Sequence, residues 1–477
     1  MSESRTDHNE ETFEDLLGIG GRNLLPKRFV PERYVKPVLD FMRTEASGGI
    51  VMLVAAVAAL VWANSAGWET YERLWETHLT IDLGGVVHID HSLREWVNDA
   101  LMVIFFFVVG LEIKRELAIG ELRDPKTAAL PAIAAIGGMV VPALIYFGFN
   151  AGTEAVRGWG IPMATDIAFA VGVVALTGTR VPIGAKLFLL ALAIVDDIGA
   201  ILVIAVFYTE ELALGWLAAA IVGIGVVILG RTLQIRSVTF YIVVGVGIWF
   251  AMLESGVHAT LTGVALGFLT PVRPLFRPDG YADSARALID RVEDYAGEPD
   301  EPEDPHTGER IASLLRNMRT LSAETVSPLH RMEHGLAVWS SFVVVPIFAF
   351  ANSGVRFVGV DPGGVITDRV VLGVFFGLLV GKLVGVSGFA GLAVLTGVGR
   401  LPHGTRWRHV FGLALLAGVG FTVALFVTAL AFRDPALTDS AKIGIFAASL
   451  VAGVVGYTFL RTTPEPQQPH AEDLAPS

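Results

Sequence analysis

Long apolar runs separated by short polar segments fill most of the chain between about residues 46 and 461. The runs are about 17–25 residues long, the length an α-helix needs to cross a hydrocarbon core roughly 30 Å thick. Run length and the placing of Gly, Pro and charged breakers predict twelve spans. They fall at about 46–64, 95–112, 128–150, 160–177, 183–208, 212–230, 237–253, 257–271, 336–352, 368–390, 409–432 and 440–460. A soluble core is excluded by number, because no soluble domain hides so many such runs in succession. The expected fold class is an all-α membrane protein of about twelve transmembrane helices.

Polar segments divide the chain further. Residues 1–45 read as an acidic cytoplasmic extension, 46–271 as spans 1–8, 272–335 as an acidic cytoplasmic loop, 336–461 as spans 9–12 and 462–477 as a cytoplasmic tail. The 272–335 loop is either regulatory or a linker, and its polar, Pro- and Gly-containing middle is expected to be disordered. Lys and Arg crowd the loops after even spans: Lys114, Arg115, Arg123 and Lys126; Arg180 and Lys186; Arg231 and Arg236; Arg400, Arg406 and Arg408. The loops after spans 5 and 7 carry none, which puts both termini in the cytoplasm. The long first external loop alternates at GGVVHID and is a candidate for a small hairpin.

Composition narrows the classes. Of the 477 residues 53% are hydrophobic and 17% charged, against about 25% charged in a soluble domain. The mean hydropathy is +0.59. A net charge of −12 argues against nucleic-acid partners. The absence of Cys rules out disulfides and thiolate metal sites. The acidic N-terminal stretch has no apolar core of the kind a secretory signal needs.

Two spans are interrupted. Span 4 breaks at Pro162-Met163-Ala164-Thr165-Asp166, and span 11 at Gly418-Val419-Gly420-Phe421-Thr422. A broken helix in each half suits an inverted-repeat transporter, whose half-helix ends meet at mid-membrane. For span 11 alone, Gly that merely permits close packing is an equal reading. The acid at the break of span 4 tips the pair towards function.

The chemistry centres on Asp196 and Asp197, in KLFLLALAIVDDIGAILVIAVFY. One acid at the bilayer centre costs about 2.5–3.5 kcal/mol, so two adjacent ones need a partner or a task. A structural ion pair is the plain alternative. Adjacent helical residues point about 100° apart, so one carboxylate can face a watery cavity and the other a neighbouring helix. A carboxylate that water reaches binds a hard cation when ionised and releases it when protonated. Asp166, with the Thr165 hydroxyl beside it, either contributes ion ligands or balances the positive end of a half-helix. Lys382 lies deep in span 10, with a salt bridge to Asp196 or Asp197, or neutralisation of negative half-helix ends in span 11, as its two roles. Asp99 opens span 2 and is a candidate for an entry funnel or a solvated helix-start acid. Glu112, Arg115 and Glu116 end span 2, and Glu333 and His334 open span 9 on the same side. They form either an acid–base–His cluster at a cytoplasmic mouth or ordinary solvated charges. His258 reads as a hydrogen-bonded structural residue.

Several stretches together resemble the bacterial NhaA family of sodium/proton antiporters: NDALMVIFFFVVGLEIKREL, GWGIPMATDIAFAVGV, KLFLLALAIVDDIGAI, SGVHATLTGV, PIFAFANSGV, GKLVG and GVGFT. They run in order over roughly residues 44–461. That family is itself a type example of the inverted-repeat architecture invoked above. The resemblance implies that Asp197 is the essential cation ligand, that Asp196 is its partner held by Lys382, and that Asp166 and Thr165 mark the crossing in span 4. It implies that Glu112, Arg115, Glu116, Glu333 and His334 form a pH-sensing region. It further implies electrogenic exchange of sodium or lithium for protons in the bacterial inner membrane, no cofactor, contact with lipid, and a homodimer. The sequence departs from compact members in its acidic N-terminal extension, its enlarged loop between spans 8 and 9, its C-terminal tail, and Ala337, where some members carry a second His.

Other classes fit less well. An intramembrane aspartyl protease needs acids converging from two helices within tight motifs, and a GxGD-type string is missing. A passive channel would conduct without proton coupling. An ATP-driven pump needs a phosphate-binding G-x-x-x-x-G-K-[ST] loop, which the chain lacks.

Overall fold

The computed structural model describes residues 47–84, 87–209, 212–235, 237–274, 278–296, 307–357 and 362–464. The acidic N-terminal extension, residues 465–477 of the C-terminal tail and the middle of the 272–335 loop, residues 297–306, lie outside them. All the architecture below belongs to the compact unit Glu45–Ser477.

The first apolar run forms α1 (Ser47–Ala63), which bends by 116° into α2 (Trp68–Glu76). α2 is a surface helix that the hydropathy pattern does not announce. It is short and amphipathic, burying Tyr71 and Trp75 while Glu69, Arg73 and Glu76 stay exposed. The Tyr71 hydroxyl pins it by donating to Phe350 O at 2.8 Å and accepting from Gly354 N at 3.1 Å. The expected hairpin follows, as antiparallel β1 (His78–Leu83) and β2 (Val87–Ser92) with Thr80 opposite Asp90 and Ile81 opposite Ile89.

A Ser92–Glu95 capping box starts α3 (Leu93–Ala118). Asp124 caps α4 (Pro125–Asn150). A 3-10 helix, Glu154–Met163, is followed by α5 (Ile167–Ala175), and then by α6 (Ile183–Phe207), α7 (Leu214–Thr232), α8 (Val238–Glu254) and α9 (Leu261–Leu269). The loop expected to be partly disordered carries α10 (Pro278–Ala296) and α11 (Thr307–Thr325). These two pack together, with Tyr281 and Ser322 hydroxyls 3.0 Å apart and Arg310 over the Tyr295 ring. The last part is α12 (Pro328–Asn352), α13 (Arg369–Leu395), α14 (Trp407–Leu416), α15 (Phe421–Ala431) and α16 (Pro435–Arg461).

Among the described residues, eight helices are long and apolar enough to cross a membrane, or ten if each bent pair is one span. The sequence pattern predicts twelve. The shortfall lies at α8, which has 17 residues, and at α9, which has nine and begins only after the Gly256 turn. The chain is a multi-pass, mostly helical membrane protein.

Small residues bring helices close where the charged groups sit. A Cβ on Gly137 of α4 would meet Gly385 O of α13 at 2.3 Å, and one on Gly385 would meet Gly137 O at 2.2 Å. Backbone lies against backbone there, the small-residue contact that membrane helices use in place of a hydrophobic driving force. It carries Lys382, one turn earlier on α13, alongside Gly138. A π-helical turn at Gly377–Gly381 immediately precedes Lys382, the kind of local irregularity that often marks functional positions.

Candidate ion-binding site at two helix breaks

Asp196 and Asp197 sit near the middle of α6 and are 1% and 6% exposed. Their environments differ as the helical angle between neighbours requires. Asp196 Oδ2 accepts from Lys382 Nζ at 2.6 Å. The same ammonium donates to Met163 O at the end of the 3-10 helix. Of the two roles open to Lys382, the structure therefore selects Asp196, and the carbonyl it neutralises belongs to the break of span 4 rather than span 11. Asp197 has no ion pair or hydrogen bond among the described residues. Besides Asp196, the acids whose charges act on it are Glu112 and Asp166.

Two helix breaks face each other beside this pair. Residues 164–166 separate the 3-10 helix from α5, and residues 417–420 separate α14 from α15, with a 45° bend. Asp166 N donates to Val419 O at 2.7 Å, and Thr165 Oγ1 donates to Ala417 O at 2.9 Å. In return, the Asp166 carboxylate accepts from both half-helices. Oδ1 takes Phe169 N of α5 at 3.0 Å, and Oδ2 takes Thr422 N and Oγ1 of α15 at 3.1 and 2.7 Å. One buried carboxylate thus caps two helix N-termini, where unpaired N–H groups and the helix dipoles favour negative charge. The alternative left open for Asp166 is narrowed, because both oxygens are committed to backbone and hydroxyl donors. Thr165 is fully buried and lies beside the Asp196 carboxylate.

The other predicted residues fall at the two ends of α3. At its C-terminal end, Arg115 bridges Glu116 at 3.1 Å and Glu333 of α12. Glu116 also accepts from Glu121 N at 3.0 Å. Glu112 is half-buried one turn earlier. His334 does not join them. It is exposed, and its ring stacks with His330. A cavity of about 310 Å³ opens here, lined by Glu116, Glu121, Asp124 and, from α6, Leu187 and Leu190. Leu190 and Asp197 are two helical turns apart on one face, about 10 Å along the axis. Asp99 lies at the opposite end of α3, in a π-helical turn, 3.9 Å from His91. His258 Nε2 lies 2.9 Å from Tyr208 O.

Sequence reasoning gave Thr422 no role, although a Thr just past a glycine break is a recognisable cap position. It also passed over Lys442 of α16, which is 8% exposed with Nζ 3.5 Å from Gly354 O. A lone Lys in the first turns of an apolar run was the available signal.

Buried acids, a buried base and paired helix breaks inside a bundle of apolar helices fit a membrane transporter. Residues 39–460 match the family described as Na+/H+ antiporter 1. The chain is 44% identical to the Na(+)/H(+) antiporter NhaA of Oleidesulfovibrio alaskensis, over 92% of this chain and 96% of that protein. It is 43% identical to that of Syntrophobacter fumaroxidans, over 91% and 93%. It is 45% identical to that of Koribacter versatilis, over 90% and 92%. The chain belongs to the NhaA family of sodium/proton antiporters.

Proposed function

We propose that the protein is an electrogenic antiporter that extrudes sodium, and also lithium, from the bacterial cytoplasm across the inner membrane in exchange for external protons. Its service to the cell is pH and sodium homeostasis. The observation that carries this reading is the split between two neighbouring buried acids. Asp196 is engaged by Lys382, and among the described residues Asp197 is left without an ion pair or hydrogen bond. An unpartnered carboxylate in an apolar bundle is costly unless a cation or a proton occupies it.

Asp197 takes the cation from the acid-lined cavity two turns along α6, and protonation of the site displaces it. Asp196 and Lys382 form the pair that a proton on the carboxylate breaks. The facing breaks, tied together by Asp166, move as one unit during alternating access. Twelve spans in inverted repeats, with two discontinuous helices crossing at mid-membrane, both termini cytoplasmic and a homodimer complete the proposal. Glu112, Arg115, Glu116 and Glu333 form its pH-sensing mouth, with His334 exposed on α12 outside that cluster, and Asp99 lines the opposite entry. Each net charge moved gains about 2.3 kcal/mol per 100 mV of membrane potential.

The test is Asp197→Asn in everted vesicles with a fluorescent proton-gradient probe. Sodium should no longer cause dequenching, while the purified variant melts as a folded protein. Wild-type sodium-dependent flux in the variant would remove Asp197 from the proposed role.

A further inference from the structure

A cavity that the transport reading leaves unused opens between α11 and the start of α12. It measures about 380 Å³ and is lined by Arg316, Arg319, Thr320 and Glu324 of α11 and by Arg331 of α12. Arg316, Arg319 and Thr320 share one helical face by their spacing. All three arginines are exposed, and none has a side-chain ion pair or hydrogen bond among the described residues. Glu324 supplies the one negative charge of the lining, so positive charge is in excess by two. Unpaired guanidinium groups converging from two elements suit the planar, multi-donor recognition of a phosphate.

The depth of the cavity identifies the source of that phosphate. α12 has 25 residues and a length of about 37 Å, more than the roughly 30 Å of hydrocarbon. Arg331 is in its first turn, whereas Trp339, 62% exposed two turns on, faces outward from an apolar stretch. Arg331 therefore lies where the helix leaves the apolar layer, at headgroup level. The apolar residues Leu315, Val326 and Met332 are exposed beside the arginines. A soluble phosphate has no use for such a rim, while an acyl chain does.

We propose that this cavity binds the headgroup of an anionic phospholipid and docks α11 on the membrane surface. Basic pockets beside membrane helices gain from the negative surface potential of anionic lipid. The proposal needs α12 to cross the membrane but is independent of the transported ion.

The test uses the detergent-purified full chain and three probes: short-chain phosphatidylglycerol, short-chain phosphatidylcholine and inorganic phosphate. Phosphatidylglycerol should raise the melting midpoint above that seen with phosphatidylcholine at equal concentration. The variant Arg316→Ala/Arg319→Ala/Arg331→Ala should lose at least half of that difference. Arg331→Gln, read by native mass spectrometry, should retain fewer bound phosphatidylglycerol molecules than the wild type even if the triple variant folds poorly. An unchanged lipid difference in the triple variant, or unchanged retention in Arg331→Gln, overturns the proposal. Full stabilisation by inorganic phosphate alone overturns the assignment to lipid.

Discussion

Two charge clusters in this protein use the same residue classes in opposite settings. Beside the centre of α6 the base is Lys382 of α13, with no exposed side-chain surface, held by one carboxylate and one carbonyl. At the end of α3 the base is Arg115, 32% exposed, shared by two carboxylates that are each 10% exposed. The central ammonium has no water to fall back on, so its charge survives only through the geometry of Asp196 and Met163 O. The outer guanidinium keeps part of its hydration and has two partners to share. Losing the Asp196 charge would leave the first base without its ion-pair partner. The second ties α3 to α12 and keeps one carboxylate if the other is lost.

The comparison can be tested by removing partners in each cluster. Lys382→Ala should show the largest effect, a loss of about 3–5 kcal/mol, because breaking a buried pair strands a charge. Thermal melting in detergent measures it. Replacing both Lys382 and Asp196 by Leu should recover most of that loss, and a double variant as unstable as the single one would mean that the pair is not the source. Thr422→Val keeps the side-chain volume but removes one donor from Asp166. It should cost about 1.5–3 kcal/mol, as expected for a hydrogen bond to a charged group. An unchanged midpoint would deny that Asp166 fastens the two breaks together. Arg115→Gln should cost the least, about 0–1 kcal/mol, since partly exposed pairs are screened. Repeating the melt in 1 M salt, where the Debye length is about 3 Å, should shrink the difference further. A loss equal to that of Lys382→Ala would erase the distinction between the clusters.

The spans, the breaks and the central acids were legible in the sequence because each rests on a local rule. An apolar run of bilayer length becomes a helix wherever it is placed. Asp196 and Asp197 stand out because their flanks contain so little else that is polar. α2 was missed because nine amphipathic residues in a polar loop carry no span signal. α10 and α11 were hidden for a related reason: their composition is polar, and helicity there comes from the two helices packing on each other. Among the described residues, eight to ten helices met the length and apolarity needed to cross, and the rest of the expected twelve fall at α8, with 17 residues, and α9, with nine. His334 was expected beside Glu333 and Arg115, yet neighbouring helical residues diverge, and its ring turns to His330 instead.

The sequence by itself determined that this chain enters a membrane, where its helices break, and that Asp166, Asp196, Asp197 and Lys382 are held in apolar surroundings. Those properties follow from the cost of leaving apolar surface in water or charge in lipid, which each segment incurs on its own. Only the tertiary structure decided which of the two acids Lys382 would take. It also decided that one carboxylate, Asp166, would cap both its own helix and one whose Thr422 lies 256 residues further along the chain. Those choices depend on how α4, α6, α13 and the two breaks are turned towards one another. That turning is set by close glycine contacts and hydrogen bonds between segments remote in sequence, which no local pattern encodes.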